Sequence, residues 1–123
     1  MSPTARALAH CRKMGWTAQV VERWNHHAGV RVDLFGCIDL VVLDGQPGGP
    51  LGVQVTTWQN TSKRLRKMRD EERMVAWLQA PARLEIWGLR QAPKVKKDGT
   101  KSAQYVWEIR RIVVDLALLA PVN

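Results

Sequence analysis

Cysteine is scarce in this chain, and long hydrophobic runs are absent. The two cysteines, Cys11 and Cys37, fall in predicted regular structure, not at the loop spacings of a disulfide framework. The most apolar tail, residues 112–122, contains Asp115 and Pro121 and is too short to span a bilayer. No cationic start followed by an apolar core marks a signal peptide. We therefore expect a cytoplasmic protein with reduced, buried thiols and no membrane insertion.

Acidic residues are also few. The 123 residues include 11 Asp and Glu against 19 Lys and Arg, which gives a net charge of +8 and a pI near 10.2. This excess favours polyanionic partners, with nucleic acid ahead of an anionic membrane surface, and a merely soluble basic protein is the remaining alternative. Because 46% of the residues are hydrophobic, disorder is not expected, and the length predicts one domain over residues 1–123.

Residues 36–57 organise the rest of the chain. Two apolar, β-branched runs flank the turn sequence Gly-Gln-Pro-Gly-Gly-Pro, which predicts an antiparallel hairpin. The first run, residues 37–43, is apolar at nearly every position and is therefore expected to lie centrally in a sheet. Asp39 interrupts this run and Gln54 interrupts the second. Since a buried, unpaired carboxylate is strongly unfavourable, Asp39 requires hydrogen-bond partners or a cation.

The N-terminal part predicts a helix and extended segments. Ser2 and Pro3 are typical of a helix start, and Gly15 of a helix end. Between them runs an apolar stripe at three-residue steps: Ala5, Leu8, Cys11 and Met14. We expect a strand over residues 16–24, a loop over 25–29, and an extended or irregular segment over 30–35.

The C-terminal half predicts one long helix and two strands. The helix covers residues 60–79, is capped by Thr61 or Ser62, and ends before Pro81. Its expected buried stripe is Leu65, Met68, Val75 and Leu78. Alternation predicts strands over residues 83–90 and 105–116, joined by a basic hairpin loop around Asp98-Gly99. The predicted order is helix, three strands, helix, two strands, with helices covering the sheet.

A carboxylate and an amide on neighbouring strands can share a divalent cation. Mg²⁺ prefers oxygen ligands, so Asp39, the Gln54 side chain and the Val55 backbone carbonyl form a candidate magnesium site, with Mn²⁺ as a substitute. Glu22 and Asp33 are the nearest candidates for a third ligand. A cation held in this way polarises a phosphodiester and activates a bound water.

Basic residues in two segments are predicted to contact nucleic-acid phosphates. Cations at a helix N-terminus oppose the helix dipole, so their concentration in residues 63–69 favours a phosphate-facing role over a merely solvated surface. The candidate nucleic-acid-binding residues on the helix and the loop are Lys63, Arg64, Arg66, Lys67, Lys94, Lys96, Lys97 and Lys101.

The element order, together with Ile38-Asp39 on one strand and Gln54-Val55-Thr56 on the next, resembles the PD-(D/E)XK nuclease superfamily. The similarity covers roughly residues 4 to 90 and is nearest to small Holliday-junction resolvases and their phage relatives. It implies an α/β fold with a restriction-endonuclease-like core of order αβββαβ. In that fold a central mixed sheet is flanked by helices, and here an extra C-terminal strand follows. It also implies divalent-metal-dependent cleavage of DNA by a homodimer, in the host cytoplasm if the chain is phage-encoded.

The resemblance assigns a role to each site residue. Asp39 matches the metal-binding aspartate, and Gln54 falls on the Asp/Glu position. Thr56 stands where the family has its lysine, and Lys63 on the following helix is the candidate to reach back in its place. The first helix has no acid to match the family's glutamate. Glu22 is therefore the first substitute and Asp33 the second.

Other interpretations of these residues remain open. Asp39 can be a structural aspartate bonded to backbone amides, Glu22 an exposed strand residue, and Asp33 a loop cap. The adjacent His26 and His27 indicate a polar loop more than a metal site, because neighbouring side chains diverge. At the level of the whole chain, a catalytically inactive nuclease-fold subunit for DNA binding or assembly is the main alternative. A basic scaffold for an acidic protein is the third.

Overall fold

The computed structural model describes residues 1–120, so Pro121, Val122 and Asn123 lie outside the described residues. The helices are α1 (Pro3–Lys13), α2 (Thr61–Arg69), α3 (Glu72–Gln79) and the single turn α4 (Leu116–Leu119). The strands are β1 (Thr17–Val20), β2 (Arg23–Asn25), β3 (Val30–Val32), β4 (Leu40–Leu43), β5 (Leu51–Thr57), β6 (Arg83–Val95) and β7 (Lys101–Val114). Within residues 1–120, no helix has both the length and the hydropathy to cross a bilayer.

Five strands form one mixed sheet in the order β1-β4-β5-β6-β7. The hairpin predicted around residues 44–50 is confirmed, since β4 and β5 pair antiparallel with Leu40 opposite Val53. β5 and β6 are parallel because α2 and α3 carry the chain back to the same end of the sheet, and β6 and β7 form a long antiparallel hairpin. The chain is therefore α/β with a mixed sheet flanked by helices. The restriction-endonuclease-like core stays a prediction.

Each face of the sheet has its own hydrophobic core. Alternate residues of β5 point to opposite faces, so Val53 and Val55 pack with Trp87 under α1. The other face holds Ile86 and Leu84 under α2 and α3. Gln54 and Thr56 share that second face and are buried there at its end. At this end of the sheet, Gln54 and Thr56 therefore take positions that hydrophobic side chains occupy elsewhere on the same face.

The strand predicted over residues 16–24 was wrong in its second half. β1 ends at Val20, and the N–H of Val21 donates to the carbonyl of Asp39 at 2.9 Å. The chain then leaves the sheet, and β2 pairs with β3 in a separate hairpin. The adjacent Val20 and Val21 had already broken the alternation of apolar and polar residues. This departure places Glu22 at the junction between the sheet and the small hairpin.

The single helix predicted over residues 60–79 is two helices. α2 ends at Arg69, and α3 begins after Glu71, whose side chain accepts a hydrogen bond from the Arg73 N–H. Acidic side chains stabilise a helix N-terminus, so the run Asp70-Glu71-Glu72 favours a new start.

The break shifts the phase of the buried face. Met74 is fully buried and Val75 is exposed, contrary to the predicted stripe. The N-cap of α2 is Asn60, without a side-chain hydrogen bond, and not Thr61 or Ser62. In α1, Ser2 caps as predicted, but Ala7 is buried and Met14 is exposed.

The hairpin loop around Asp98-Gly99 is confirmed, while the last predicted strand ends earlier than expected. Gly99 has a φ of +87°, which suits a glycine at a tight turn. β7 ends at Val114, and Asp115 caps α4 by accepting a hydrogen bond from Leu118 N–H at 2.8 Å. The predicted edge packing of the tail thus becomes one helical turn with Leu119 buried.

A glycine on β6 fixes how closely the start of α2 approaches the sheet. A Cβ atom at Gly88 would lie 2.5 Å from Cγ2 of Thr61 and 3.1 Å from Cα of Trp58. Real Cβ atoms do not tolerate such a contact, so the helix start would have to move. Since the cationic side chains of α2 line the candidate site, this approach also sets the geometry of the site.

We predict that Gly88→Ala destabilises the fold by about 1–3 kcal/mol, because overpacking displaces α2. The double variant Gly88→Ala/Thr61→Ser removes the clashing methyl group and should recover part of the loss. Urea unfolding of both variants and of Thr61→Ser alone measures this. Equal stability of Gly88→Ala and the unmodified chain would show that α2 does not rest on this contact.

Candidate functional site

Asp39 is held against β5 although it lies outside the regular strand. Its N–H donates to the Val53 carbonyl at 2.8 Å. Its Oδ2 accepts hydrogen bonds from the Val55 N–H at 2.7 Å and from Nε2 of Gln54 at 3.1 Å. Asp39 is 4% exposed and Gln54 2% exposed. The two polar residues of the predicted hairpin therefore meet, as the sequence predicted.

Glu22 and Asp33 join Asp39 because of the small hairpin. Glu22 immediately precedes β2 and Asp33 immediately follows β3, so antiparallel pairing brings both to the open end of that hairpin. Ligand atoms of Glu22, Asp33 and Asp39 all lie within 4.8 Å of one another. Nε2 of Gln54 also donates to Oδ2 of Asp33 at 3.3 Å. Both candidate third ligands are thus at the same site.

Burial and mutual repulsion alter the protonation of this cluster. The pKa of Asp39 is raised to about 8, mainly by burial and next by a hydrogen bond with the Asp33 carboxyl. The hydrogen bond from Val55 N–H opposes the rise, while the charges of Asp33 and Glu22 add to it. Near neutral pH the cluster consequently retains a proton.

Cationic side chains surround the acids. Nη1 of Arg31 lies 2.9 Å from Oε1 of Glu22, and Nζ of Lys67 lies 3.7 Å from Oδ2 of Asp33. Nε of Arg64 approaches Oγ1 of buried Thr56 at 3.5 Å. These groups line a polar cavity of about 440 Å³ together with the acids and Gln54. The acids give the cavity a negative side. We call the cationic side chains around them the rim; these are Arg31, Arg64 and Lys67.

The donor set fits a hard divalent cation. Three carboxylates and an amide supply the oxygen atoms that Mg²⁺ and Mn²⁺ prefer. Oε1 of Gln54 is buried and has no hydrogen-bond partner among residues 1–120. A half-turn of the amide exchanges its oxygen and nitrogen, which would turn this oxygen toward the carboxylates. Val55 contacts the site through its N–H, and its carbonyl as a ligand stays a prediction.

Several predicted residues lie away from the cavity. Lys63 is exposed on the first turn of α2 and does not line the cavity, and Arg66 is also exposed. The loop lysines stand on the β6–β7 hairpin, beyond Leu89, which pairs with Thr57 at the end of β5. At about 3.3 Å per residue, Lys94 lies about 16 Å farther along the strand. The loop lysines are Lys94, Lys96, Lys97 and Lys101, all exposed.

The sequence interpretation missed two features of the cavity. Arg31 was not considered, although it lies two residues before Asp33, and in an extended segment residues at that spacing share a side. Lys67 was expected only at phosphates, yet it occupies the position that the prediction gave to Lys63. The three-residue spacing of Arg64 and Lys67 on α2, which puts both on one face of a helix, would have indicated this.

Comparison of the chain with family models, curated proteins and solved structures gives no match. The resemblance to PD-(D/E)XK nucleases therefore depends on the residues and element order alone.

We predict that Asp39→Asn makes stability less dependent on pH. The pKa of Asp39 in the folded state is about 8, above its ordinary value of 3.8. Protonated Asp39 therefore contributes fully to the free energy of unfolding below about pH 4, and this contribution is lost as the pH rises to about 8. The loss amounts to about a few kcal/mol. An asparagine keeps an acceptor for Val55 N–H without the charge.

Urea unfolding at pH 5 and pH 9 tests this prediction. The unmodified chain should lose more stability across this interval than Asp39→Asn. Asp70→Asn, at an exposed position on the C-cap of α2, serves as the control and should behave like the unmodified chain. Parallel pH profiles for all three proteins would contradict a buried, protonated Asp39.

Proposed function

We propose that this chain is a divalent-cation-dependent endonuclease that hydrolyses DNA phosphodiester bonds. The observation that carries the proposal is the convergence of Glu22, Asp33 and Asp39 within 4.8 Å, beside the buried and unpartnered Oε1 of Gln54. Three separate chain segments supply these acids to one cavity. The net charge of +8 supports a polyanionic substrate.

The acids would hold the cation, and the rim would hold the phosphate. Asp39, Asp33 and Glu22 are the proposed ligands, with Gln54 offering its amide oxygen. A bound Mg²⁺ or Mn²⁺ supplies charge neutralisation at the scissile phosphate and lowers the pKa of a water molecule. Lys67 is close enough to the acids to stabilise the negative charge that develops on the phosphate.

Thr56 carries no charge and is buried, so it does not replace the family's lysine. Its hydroxyl instead accepts from Arg64, which keeps that guanidinium over the cavity. In the proposed enzyme Lys67 and Arg64 together take the role that the sequence interpretation gave to Lys63.

The raised pKa of Asp39 makes the proposed cation binding depend on pH. Cation binding requires ionised carboxylates and therefore competes with the proton that Asp39 retains. We expect affinity for the cation to increase between pH 6 and pH 9.

The substrate and the assembly are proposed from the resemblance. Branched DNA, such as a four-way junction, requires two symmetric cuts, which a two-fold homodimer provides. The exposed lysines of the β6–β7 hairpin and Lys63 and Arg66 of α2 would contact the backbone outside the cavity. The cytoplasm is the proposed location, consistent with the buried free thiols of Cys11 and Cys37.

An inactive DNA-binding or assembly subunit is the second candidate function. Arg31 already pairs with Glu22, and Lys67 with Asp33, so two of the acids are neutralised without a cation. The uncharged Thr56 also favours this alternative.

Cleavage assays separate the two functions. Linear, single-stranded and four-way-junction DNA are incubated with Mg²⁺, Mn²⁺ or EDTA. We expect metal-dependent cleavage that Asp39→Asn and Lys67→Met each lower by about 10²-fold or more. Arg12→Gln, which removes an exposed cation of α1 that does not line the cavity, should leave cleavage within about twofold. DNA retention without cleavage under either metal would favour the inactive subunit.

We further predict that Mn²⁺ stabilises the folded chain at pH 8. Neutralising three neighbouring carboxylates removes their repulsion, and a ligand at a hundred times its Kd stabilises by about 2.7 kcal/mol. Thermal unfolding with and without Mn²⁺ measures this, with Asp70→Asn as the control. Asp33→Asn and Asp39→Asn should abolish the shift. A shift that persists in both would place the cation elsewhere.

A further inference from the structure

A second cavity lies on the opposite face of the sheet, between α1 and β7. We call it the α1–β7 groove. It has a volume of about 450 Å³, and no Asp or Glu lines it. Its main lining residues are Arg6, His10, Lys13, Trp107, Ile109 and Arg111. Ile109 belongs to the core beneath α1, whereas Gln54 faces the other core. The groove is therefore separate from the acidic cavity.

Two of the three cationic side chains that line the groove have no ion-pair partner among residues 1–120. Arg6 and Lys13 take part in none of the ion pairs among residues 1–120. Nε of Arg6 is buried without a hydrogen-bond partner. The neighbouring Arg111 differs, since Glu85 binds it through two hydrogen bonds of 2.6 and 3.0 Å. Burial lowers the pKa of His10, and the charges of Arg111 and Lys13 lower it further, as expected in a positive field.

An aromatic ring lies beside these cations. The guanidinium of Arg6 stacks over the ring of Trp107 at 3.9 Å, and Trp107 is 42% exposed. Leu89 and Ile109 add an apolar floor. Bases stack on aromatic rings and on guanidinium planes, while phosphates attract Arg and Lys. An acidic peptide would pair with the cations but has no flat group to stack on Arg6 and Trp107.

We propose that the α1–β7 groove binds single-stranded nucleic acid, with a phosphate at Arg6 and Lys13 and one base against the Arg6–Trp107 stack. The volume admits about one nucleotide and not a duplex. This inference goes beyond the proposed nuclease, because binding in the groove requires neither a cation nor cleavage. The groove would hold an unpaired strand along α1, whose first residues, Pro3 and Thr4, line the acidic cavity.

Binding of fluorescent 5′-phosphorylated tetrathymidylate in EDTA, measured by anisotropy, tests the proposal. We expect Arg6→Gln/Lys13→Gln and Trp107→Leu each to weaken binding at least about fivefold. Arg12→Gln is the matched control, since Arg12 lies on the same helix with the same charge but does not line the groove. EDTA removes any divalent cation, so this binding is measured independently of the proposed nuclease activity.

Equal losses in Arg12→Gln and the groove variants would overturn the proposal in favour of diffuse charge attraction. Equal affinity for an acidic peptide of matched charge would overturn it in favour of a protein partner. Titration of the ¹⁵N-labelled unmodified chain avoids any folding defect of the variants. The indole N–H signal of Trp107, assigned with Trp107→Phe, should shift more than that of exposed Trp24. An unmoved Trp107 signal would also overturn the proposal.

Discussion

The candidate site depends on one buried carboxylate, that of Asp39, and a backbone N–H of β5 holds this carboxylate in place. β4 begins only at Leu40, so the Val55 N–H has no strand partner on that side and donates to Oδ2 of Asp39 instead. The Asp39 side chain thus accepts the hydrogen bond that a backbone carbonyl of β4 would accept if the strand continued. The hydrogen bond from the Val55 N–H offsets only part of the cost of burying an ionised Asp39. The charges of Asp33 and Glu22 also oppose its ionisation. The fold therefore tolerates Asp39 as a protonated group near neutral pH, and the proposed cation would be a second way to tolerate it once it is ionised.

The β2–β3 hairpin belongs to the site more than to the sheet. It contributes little to either core, and Trp24 and Val30 on it are exposed. Its role is geometric, since the residue before β2 and the residue after β3 must meet when the two strands pair. Glu22 and Asp33 reach Asp39 through this closure alone. A local element with few buried contacts opens more readily than the central strands, so we expect the acids at its base to be more mobile than Asp39.

The sequence predicted that Asp39 and Gln54 meet, whereas Glu22 and Asp33 were only candidates to join them. Asp39 and Gln54 stood out because polar residues interrupted apolar runs, a signal that needs no tertiary information. Glu22 and Asp33 were chosen by proximity along the chain, and only strand register shows that both reach the site. Lys67 was predicted to contact phosphates but not to lie beside the acids. A helical pattern shows which side chains share a face, but not which face meets the sheet. Which face of α2 meets the sheet depends on close tertiary contacts, such as that between Gly88 and Thr61, and a single sequence does not reveal these contacts.

Charge distribution links the two cavities. The chain has 19 basic and 11 acidic residues, yet three acids meet in one cavity, while the α1–β7 groove has no acid in its lining. A polyanion attracted to the whole molecule is repelled locally by three ionised carboxylates, unless something positive lies between them. Lys67 and Arg31 neutralise part of this charge, and the proton retained by Asp39 neutralises more below about pH 8. When the proton leaves, the proposed cation would take its place in this balance. Under the proposed function, attraction of the polyanion and occupancy of the acidic cavity would therefore strengthen each other, a coupling that needs both the basic surface and the acids.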